Sequence, residues 1–407
     1  MSKLPPPIPL AEAQRRLLAL REPMPEQRVP VAKALGFYLA EPLVARRTQP
    51  AADLSAMDGY ALTPGDLGGP WQVIGESAAG HPFAGRVDRG QAVRIATGAV
   101  LPEGADVVML QEDVTRVGDT VTLSGTPPSP PSKHIRRRGM DFSDSDPLLH
   151  AGSRIGPTRL ALAISAGHTE VSVHRSPSVA VLDSGDELIA EGQIEDDHHI
   201  PASNGAMLAA MALGLPTQAT SLGPVADSME AIRHALTRAQ DCDVLVTSGG
   251  ASVGDHDLMR PALEAWGARI DFWRVAIKPG KPLLVATRET AGRTQLILGL
   301  PGNPVSSFVT AHLFMLPLLR ALLGAADPFP PCASARLTEK MPANGPRQTF
   351  VRARWDGQTV APLTNQDSGA LAALAAANAL IVREGTAPEA NVGDRVSIHL
   401  IGNGGNA

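Results

Sequence analysis

A chain of 407 residues exceeds one ordinary hydrophobic core, so three or four domains are expected. Its formal charge of −5 and pI near 6.1 exclude the basic surface that nucleic-acid binding needs, and 3% aromatic residues are too few for base-stacking platforms. Cys242 and Cys332 stand far apart without zinc-like spacing, which fits a reducing compartment and the cytoplasm. The N-terminus MSKLPPPIPL lacks a basic region followed by an apolar stretch, and no run reads as long enough to span a membrane, so neither export nor insertion is expected.

Residues 9–21 carry Leu10, Ala13, Leu17, Leu18 and Leu20 at near-helical spacing and predict an amphipathic helix, with a second helical stretch over 31–39. The pair is too small to bury a core alone and is expected to pack on another element or a second chain. From 48 to 138 the pattern changes to short apolar runs at 71–74, 92–95, 107–110 and 120–123, divided by turn residues, an all-β signature. Residues 125–132 are Pro/Ser-rich and read as an exposed loop, and 156–166 look helical again, so the β region reads as an insertion in a helical and mixed domain.

A strand at 178–182, a helix at 204–213, a strand at 217–222, a helix at 228–239 and a strand at 243–247 then alternate as in a doubly wound parallel sheet. Two more apolar runs, 272–277 and 295–300, are bounded by Gly or Pro and fit strands buried on both faces. A helix follows from 304 to about 323, with Asn303 as N-cap and Pro304 as first helical residue. The proline-rich 328–331 marks a boundary before a small β domain, with alternation over 349–355 and a strand at 395–400.

In an open α/β sheet, loops beyond the carboxyl ends of the strands share one crevice. Here they read DSGDEL, GPVAD, TSGGASVGDHD, IKPGKP and GLPGNPVSS. Ser248, Gly249 and Gly250 let backbone N–H groups approach a ligand, Lys278 and Lys281 add positive charge, and the helix from Pro304 aims its positive end at the same place, which is the makeup of an anion site. Glu187, Asp227 and Asp257 reach the crevice from three separate loops and suggest Mg²⁺; ion pairs with Lys278 and Lys281 are the other reading.

Asp196, Asp197, His198 and His199 have the chemistry of metal ligands, but adjacent side chains seldom close on one ion, and a solvated loop is the better reading. Arg136, Arg137 and Arg138 read as a solvated edge rather than a phosphate grip. Alone, SAMDGY at 55–60 and IATGA at 95–99 are no more than turns and strand ends. There is no Walker loop, no G-x-G-x-x-G after a strand, no H-E-x-x-H and no G-x-S-x-G.

Seven stretches, SAMDGYA, ATGAVLPEGADVVMLQE, IRRRGMD, SGDEL, TSGGASVGDHD, IKPGKP and GLPGNPVSS, stand in the order found in molybdopterin molybdenumtransferases. The chain resembles these MoeA-type proteins, relatives of the E domain of gephyrin, over most of its length. The resemblance implies a multidomain α/β plus β fold. Domain I, helical and mixed, would hold 1–47 and 140–176 and serve dimerisation; domain II would be a β-rich insertion at 48–139. Domain III, 177–327, would be the doubly wound α/β part resembling molybdopterin adenylyltransferase, and domain IV, 328–407, a β domain. The implied activity is Mg²⁺-dependent transfer of molybdate into adenylyl-molybdopterin, giving molybdenum cofactor and AMP. It would run in an elongated homodimer whose crevice joins domain III of one subunit to the N-terminal domains of the other. Molybdopterin adenylyltransferase and downstream maturation proteins are the expected partners.

By the same match Asp58, Thr97, Asp141, Glu187, Asp227 and Asp257 fall on positions of functional importance, the last three as metal ligands. Lys278, Lys281, Pro301, Pro304 and Ser306 match anion-binding loops, Ser368 resembles a functional serine of the last domain, and Ser248, Gly249, Gly250, Ser252 and Asn303 lie in the same substrate loops. Two departures stand out: Ser184 replaces the usual threonine before Gly-Asp-Glu, and Met140 replaces an acidic residue before Asp141. A scaffold or cofactor carrier of the same fold is the rival reading. The adenylyltransferase itself is disfavoured, because it needs only the α/β domain.

Overall fold

The computed structural model describes residues 6–20, 22–193, 197–249, 258–290 and 292–402, and of Phe272 and Trp273 the backbone alone. Its central layer is a sheet of six strands, β1 (Ser178–Asp183), β2 (Gln218–Ser221), β3 (Val244–Ser248), β4 (Arg269–Arg274), β5 (Pro282–Thr290) and β6 (Arg293–Leu300). They lie in the order β2-β1-β3-β6-β5-β4. β1, β2, β3 and β6 are parallel, β5 runs antiparallel to β6, and β4 antiparallel to β5. The expected parallel sheet thus becomes mixed at one edge. Two reversals return β4 to the direction of β6, so the loops after both open on the same side as those after β1 and β3.

Alternation along the buried strands feeds two cores. Val179 and Val181 of β1 face one side with Leu208 and Ala212 of α1 (Ser203–Leu213), while Ala180 and Leu182 face the other with Ile232 and Leu236 of α2 (Met229–Arg238) and Leu263 of α3 (Met259–Ala265). The first core extends through a long helix, α4 (Pro304–Leu322), to Ala13 and Leu17 of the N-terminal helix Leu10–Leu18 and to Phe350 and Leu380 of the C-terminal lobe. By length and composition α4 passes for a membrane span, contrary to the expectation above, but 83% of its apolar window is buried. It is the spine of the core, and it carries a π-helical turn at Ala311–Met315.

The expected helix over 31–39 does not form. Glu26–Pro30 is a strand paired with Glu170–His174, and only Val31–Lys33 makes a single 3₁₀ turn before Gly36 takes a φ of 87°. A left-handed glycine ends a helix, which the short apolar run did not reveal. Between these flanks lies a second six-stranded sheet, in the order Val107–Leu110, Gly59–Leu62, Gln91–Ile95, Trp71–Ser77, Thr120–Leu123 and Val114–Val117.

In the C-terminal lobe Gln348–Trp355, Thr359–Pro362, Cys332–Leu337, Arg395–Leu400 and Ala379–Arg383 pair in turn, and the last pairs back with the first, so the sheet closes into a barrel. The run expected as one strand at 272–277 is divided between lobes. β4 ends at Arg274, and Ile277–Lys278 leaves the central sheet to pair in parallel with Gln348 and Thr349 of the barrel. That defection places Lys278 at the seam between the two lobes.

Candidate active site

Beyond the carboxyl ends of β1 and β3 lies a cavity of about 90 Å³, lined by Asp183, Ser184, Glu187, Asn204, Ser248, Gly249, Gly302 and Pro304 among others. Gly249 adopts a φ of 90°, and a Cβ there would come within 3.2 Å of the Ser184 carbonyl, so only glycine brings this loop so close to its neighbour. Asn303 occupies the N-cap position of α4 with Pro304 at the first turn, but its side chain makes no capping bond. Pro304 has no N–H and the Val305 N–H is taken by a carbonyl of the barrel, so of the first four positions only Asn303 and Ser306 keep an N–H for a ligand.

On the rim of the same crevice three carboxylates gather. Asp186 Oδ1 accepts the Asp227 backbone N–H at 2.9 Å. Burial, then the neighbouring charges of Asp186 and Glu187, push the Asp227 carboxyl above the usual carboxylate range. Asp186 was not singled out in the sequence, although it stands beside Glu187 in the same motif. Ser252, Gly250 and Asp257, like Asp196 of the loop cluster, lie outside the described residues.

A larger pocket of about 510 Å³ opens at the seam of the α/β lobe and the barrel. Its walls include Lys278, Lys281 and Ser306 from the sheet side and Arg347, Arg352, Gln366 and Ser368 from the barrel. Gly280, at φ 94°, lets the KPGK loop lie against α4: a Cβ would meet Thr310 Cγ2 at 2.5 Å. The barrel side is tied to the helix by the Val305 N–H, which donates to the Ser368 carbonyl at 3.0 Å. Arg352 is 1% exposed, donates to the carbonyls of Asp367 and Asn365 at 2.9 Å each, and so holds the loop that carries Ser368. Among the described residues Lys278 and Lys281 pair with no carboxylate. Arg347 and Arg352 went unnoticed in the sequence because arginines in a β pattern are ordinarily the solvent face.

The remaining candidates sit on one ledge of the N-terminal region. Asp58 Oδ1 accepts the Thr97 backbone N–H at 2.7 Å and the Thr97 hydroxyl at 2.9 Å, and those bonds hold the Asp58 carboxyl below the usual range. Ser55 exchanges backbone bonds with Ala99 and Gly98, and Ile135 pairs with Ser55, so SAMDGYA, ATGAV and IRRRG form one unit. Arg137 bridges Asp53 at 2.7 Å and Asp106 at 2.6 Å, and it is therefore an internal clamp rather than a free anion grip. Burial raises the Asp53 carboxyl, but the Arg138 N–H and Arg137 outweigh it and hold that group low. Asp141 is exposed next to this clamp, its N–H donating to the Gln49 carbonyl at 3.1 Å. Pro301 is half-buried between β6 and α4.

Residues 8–167 match the MoeA N-terminal region (domain I and II), 180–321 a probable molybdopterin-binding domain, and 334–401 the MoeA C-terminal region (domain IV). A molybdopterin molybdenumtransferase of Haemophilus influenzae is 35% identical over 97% of this chain and 100% of its own length. One from Staphylococcus aureus (strain MRSA252) is 32% identical, covering 97% of this chain and 96% of its own. The chain belongs to the molybdopterin molybdenumtransferase family. A crystal structure of a molybdopterin biosynthesis moeA protein from Pyrococcus horikoshii OT3 superposes with a TM-score of 0.82 at 25% identity, over 97% of this chain and 100% of that one. As a molybdopterin molybdenumtransferase the chain is a transferase that inserts molybdenum into molybdopterin. Glu187, Ser248, Gly249 and Pro304 line the smaller pocket, Lys278, Lys281, Ser306 and Ser368 line the larger one, and Asp58 and Thr97 meet on the ledge, whereas Asp227, Pro301 and Asn303 line neither pocket.

Proposed function

We propose that the substrates are adenylyl-molybdopterin and molybdate, that the reaction requires Mg²⁺, and that AMP leaves as the molybdenum cofactor forms. The observation that carries this reading is the seam pocket, where Lys278, Lys281, Arg347 and Arg352 surround the Ser306 and Ser368 side of one cavity. Four cations and two serine hydroxyls against the one carboxylate of Asp367 leave the lining net positive, which suits a tetrahedral oxyanion such as molybdate. The α4 start and the Gly249 loop suit the pyrophosphate.

The crowding of Asp186, Glu187 and Asp227 raises one carboxyl, which is the state a bound cation relieves. Among the described residues no three acidic, His or Cys groups close on one ion, and that fits Mg²⁺, which commonly takes one or two carboxylates and completes its shell with water and substrate phosphate. Glu187 and Asp227, with Asp257 from outside the described residues, would hold it. When bound, Mg²⁺ neutralises charge on the phosphate oxygens as AMP departs. The chain's own part is positional: lysines and arginines hold the oxyanion, backbone N–H groups hold the phosphates, and no covalent enzyme intermediate is needed.

We further propose a homodimer in which the Asp58 and Thr97 ledge of one subunit faces the crevice of the other, working in the cytoplasm between an adenylyltransferase and downstream maturation proteins. The deciding experiment is AMP release by purified protein from adenylyl-molybdopterin with Mg²⁺, with and without molybdate. Molybdate-dependent release is expected. A folded protein that releases none would leave the scaffold role standing instead.

A further inference from the structure

Two residues that line the smaller cavity each hold a buried acceptor with no partner among the described residues. Asp183, at the end of β1, is 2% exposed. Its Oδ2 takes the Gly205 N–H at the start of α1, while Oδ1 has no partner among the described residues. Asn204 donates through Nδ2 to Ser248 Oγ at 2.9 Å and to the Gly302 carbonyl at 2.6 Å. Because that carbonyl can only accept, the amide orientation is fixed, and Asn204 Oδ1 is the atom left buried without a donor among the described residues.

The recess is built, not incidental. A Cβ on Gly205 would come within 2.5 Å of Asp183 Oδ2, and one on Gly223 within 2.7 Å of the Asp183 carbonyl oxygen, so one glycine clears room for the carboxyl and the other for its backbone. Buried polar atoms without partners are rare because each forfeits its hydration. A phosphate or molybdate oxygen brings no donor to such a place.

We propose that Asp183 and Asn204 determine specificity by reading the 2-amino-4-oxopyrimidine edge of a pterin. This rests on the reading that the crevice takes adenylyl-molybdopterin, and it fixes which end enters first. The pterin presents a ring N–H beside an exocyclic amino group, two adjacent donors for two acceptors. Adenine, the other heterocycle of that substrate, offers one amino group flanked by ring acceptors, which would face Asp183 and Asn204 with repulsion. The cavity is small and open, so it takes a ring edge while the phosphate end extends toward Gly249 and the start of α4.

The test uses fluorescence titration of the full chain with three probes: a simple pterin, its 2,4-dioxo analogue in which oxygen replaces the amino group, and AMP. Wild type is expected to prefer the pterin over the dioxo analogue by about tenfold or more, because a site built to receive a donor rejects its absence strongly. Asp183→Asn places an NH₂ where Oδ1 stood, and the preference should shrink to about threefold or less with AMP affinity unchanged. Asn204→Ala, which buries no new polar atom, should reduce the preference part-way. A wild type that does not distinguish the two pteridines refutes the proposal. So does an Asp183→Asn variant that weakens all three probes alike, which would mark a purely structural role. If wild type releases AMP with molybdate yet shows no pterin preference, the subsite alone fails; if it releases none, the underlying reading fails.

Discussion

Gly280→Ala tests how firmly the KPGK loop is wedged against α4. The residue has a φ of 94°, a left-handed conformation that costs an L-residue about 1–2 kcal/mol. The added methyl would lie 2.5 Å from Thr310 Cγ2 and 3.4 Å from the Ser306 carbonyl oxygen. Thr310 cannot swing aside freely, since it is fully buried and its hydroxyl donates to Ser306 at 2.7 Å and Ser307 at 3.0 Å. Overpacking of this kind adds about 1–3 kcal/mol, for a total of about 2–5 kcal/mol. For a lobe of this size that lowers the calorimetric transition by roughly 5–15 °C. Gly118→Ala is the matched control, with a φ of 60° and nothing within 4 Å of its Cβ, and it should lose only the backbone part, about 1–2 kcal/mol. Where the loop yields instead of the helix, Lys278 and Lys281 move, and a displacement of about 1 Å raises the molybdate KM for AMP release by as much as about 10²-fold. If Gly280→Ala melts like Gly118→Ala and keeps the wild-type molybdate KM, the wedge does not position the lysines.

Arg347→Ala should raise the molybdate KM about 10- to 100-fold at unchanged thermal stability, and added salt should narrow the gap between variant and wild type. Mixing Asp58→Ala and Lys278→Ala subunits should restore about a quarter of wild-type turnover if the crevice is shared across the dimer, because half of the randomly assembled pairs would own one intact site; no recovery would mean each subunit works alone. Asp227 has a raised carboxyl, so it gains its proton earlier than an ordinary carboxylate as pH falls, and the Mg²⁺ concentration needed for half-maximal activity should climb over that window. The same shift means that this group favours folding in acid and disfavours it at neutral pH, so Asp227→Asn should melt slightly higher at pH 7. His312 is pushed down to about 3 by burial, then by His399 and Arg320. A depressed folded-state value gives stability that is full above the ordinary histidine range and is lost as pH falls from about 6.5 toward 3, so His312→Leu should flatten the acid limb of the melting profile across that window.

The order of the site loops along the chain was readable because each follows an apolar run and carries Gly, Pro, Lys or Asp that a buried strand would not tolerate. What escaped was everything decided by tertiary pairing. Leu283–Leu284–Val285–Ala286 of β5 directly follows the KPGK loop and is absent from the strands expected from the sequence. Nothing local tells Ile277 and Lys278 to join another lobe. Arg352 and Phe350 alternate with Val351 and Ala353 in a way that suggests a solvent face, yet the barrel packs that face against α4 and both residues are buried. The Asp58 and Thr97 partnership spans 39 positions, and only the folded sheet closes it.

Because Ile277 and Lys278 are stitched by main-chain bonds to Gln348 and Thr349, the basic chamber shares its masonry with both neighbours. Cutting the chain ahead of the barrel would strip away Arg347, Arg352 and Ser368 and at the same stroke leave the preceding lysine segment with an unmated edge. The proposed oxyanion site is therefore not a module that can be lifted out on the α/β lobe alone; its walls exist only where the two lobes are sewn together.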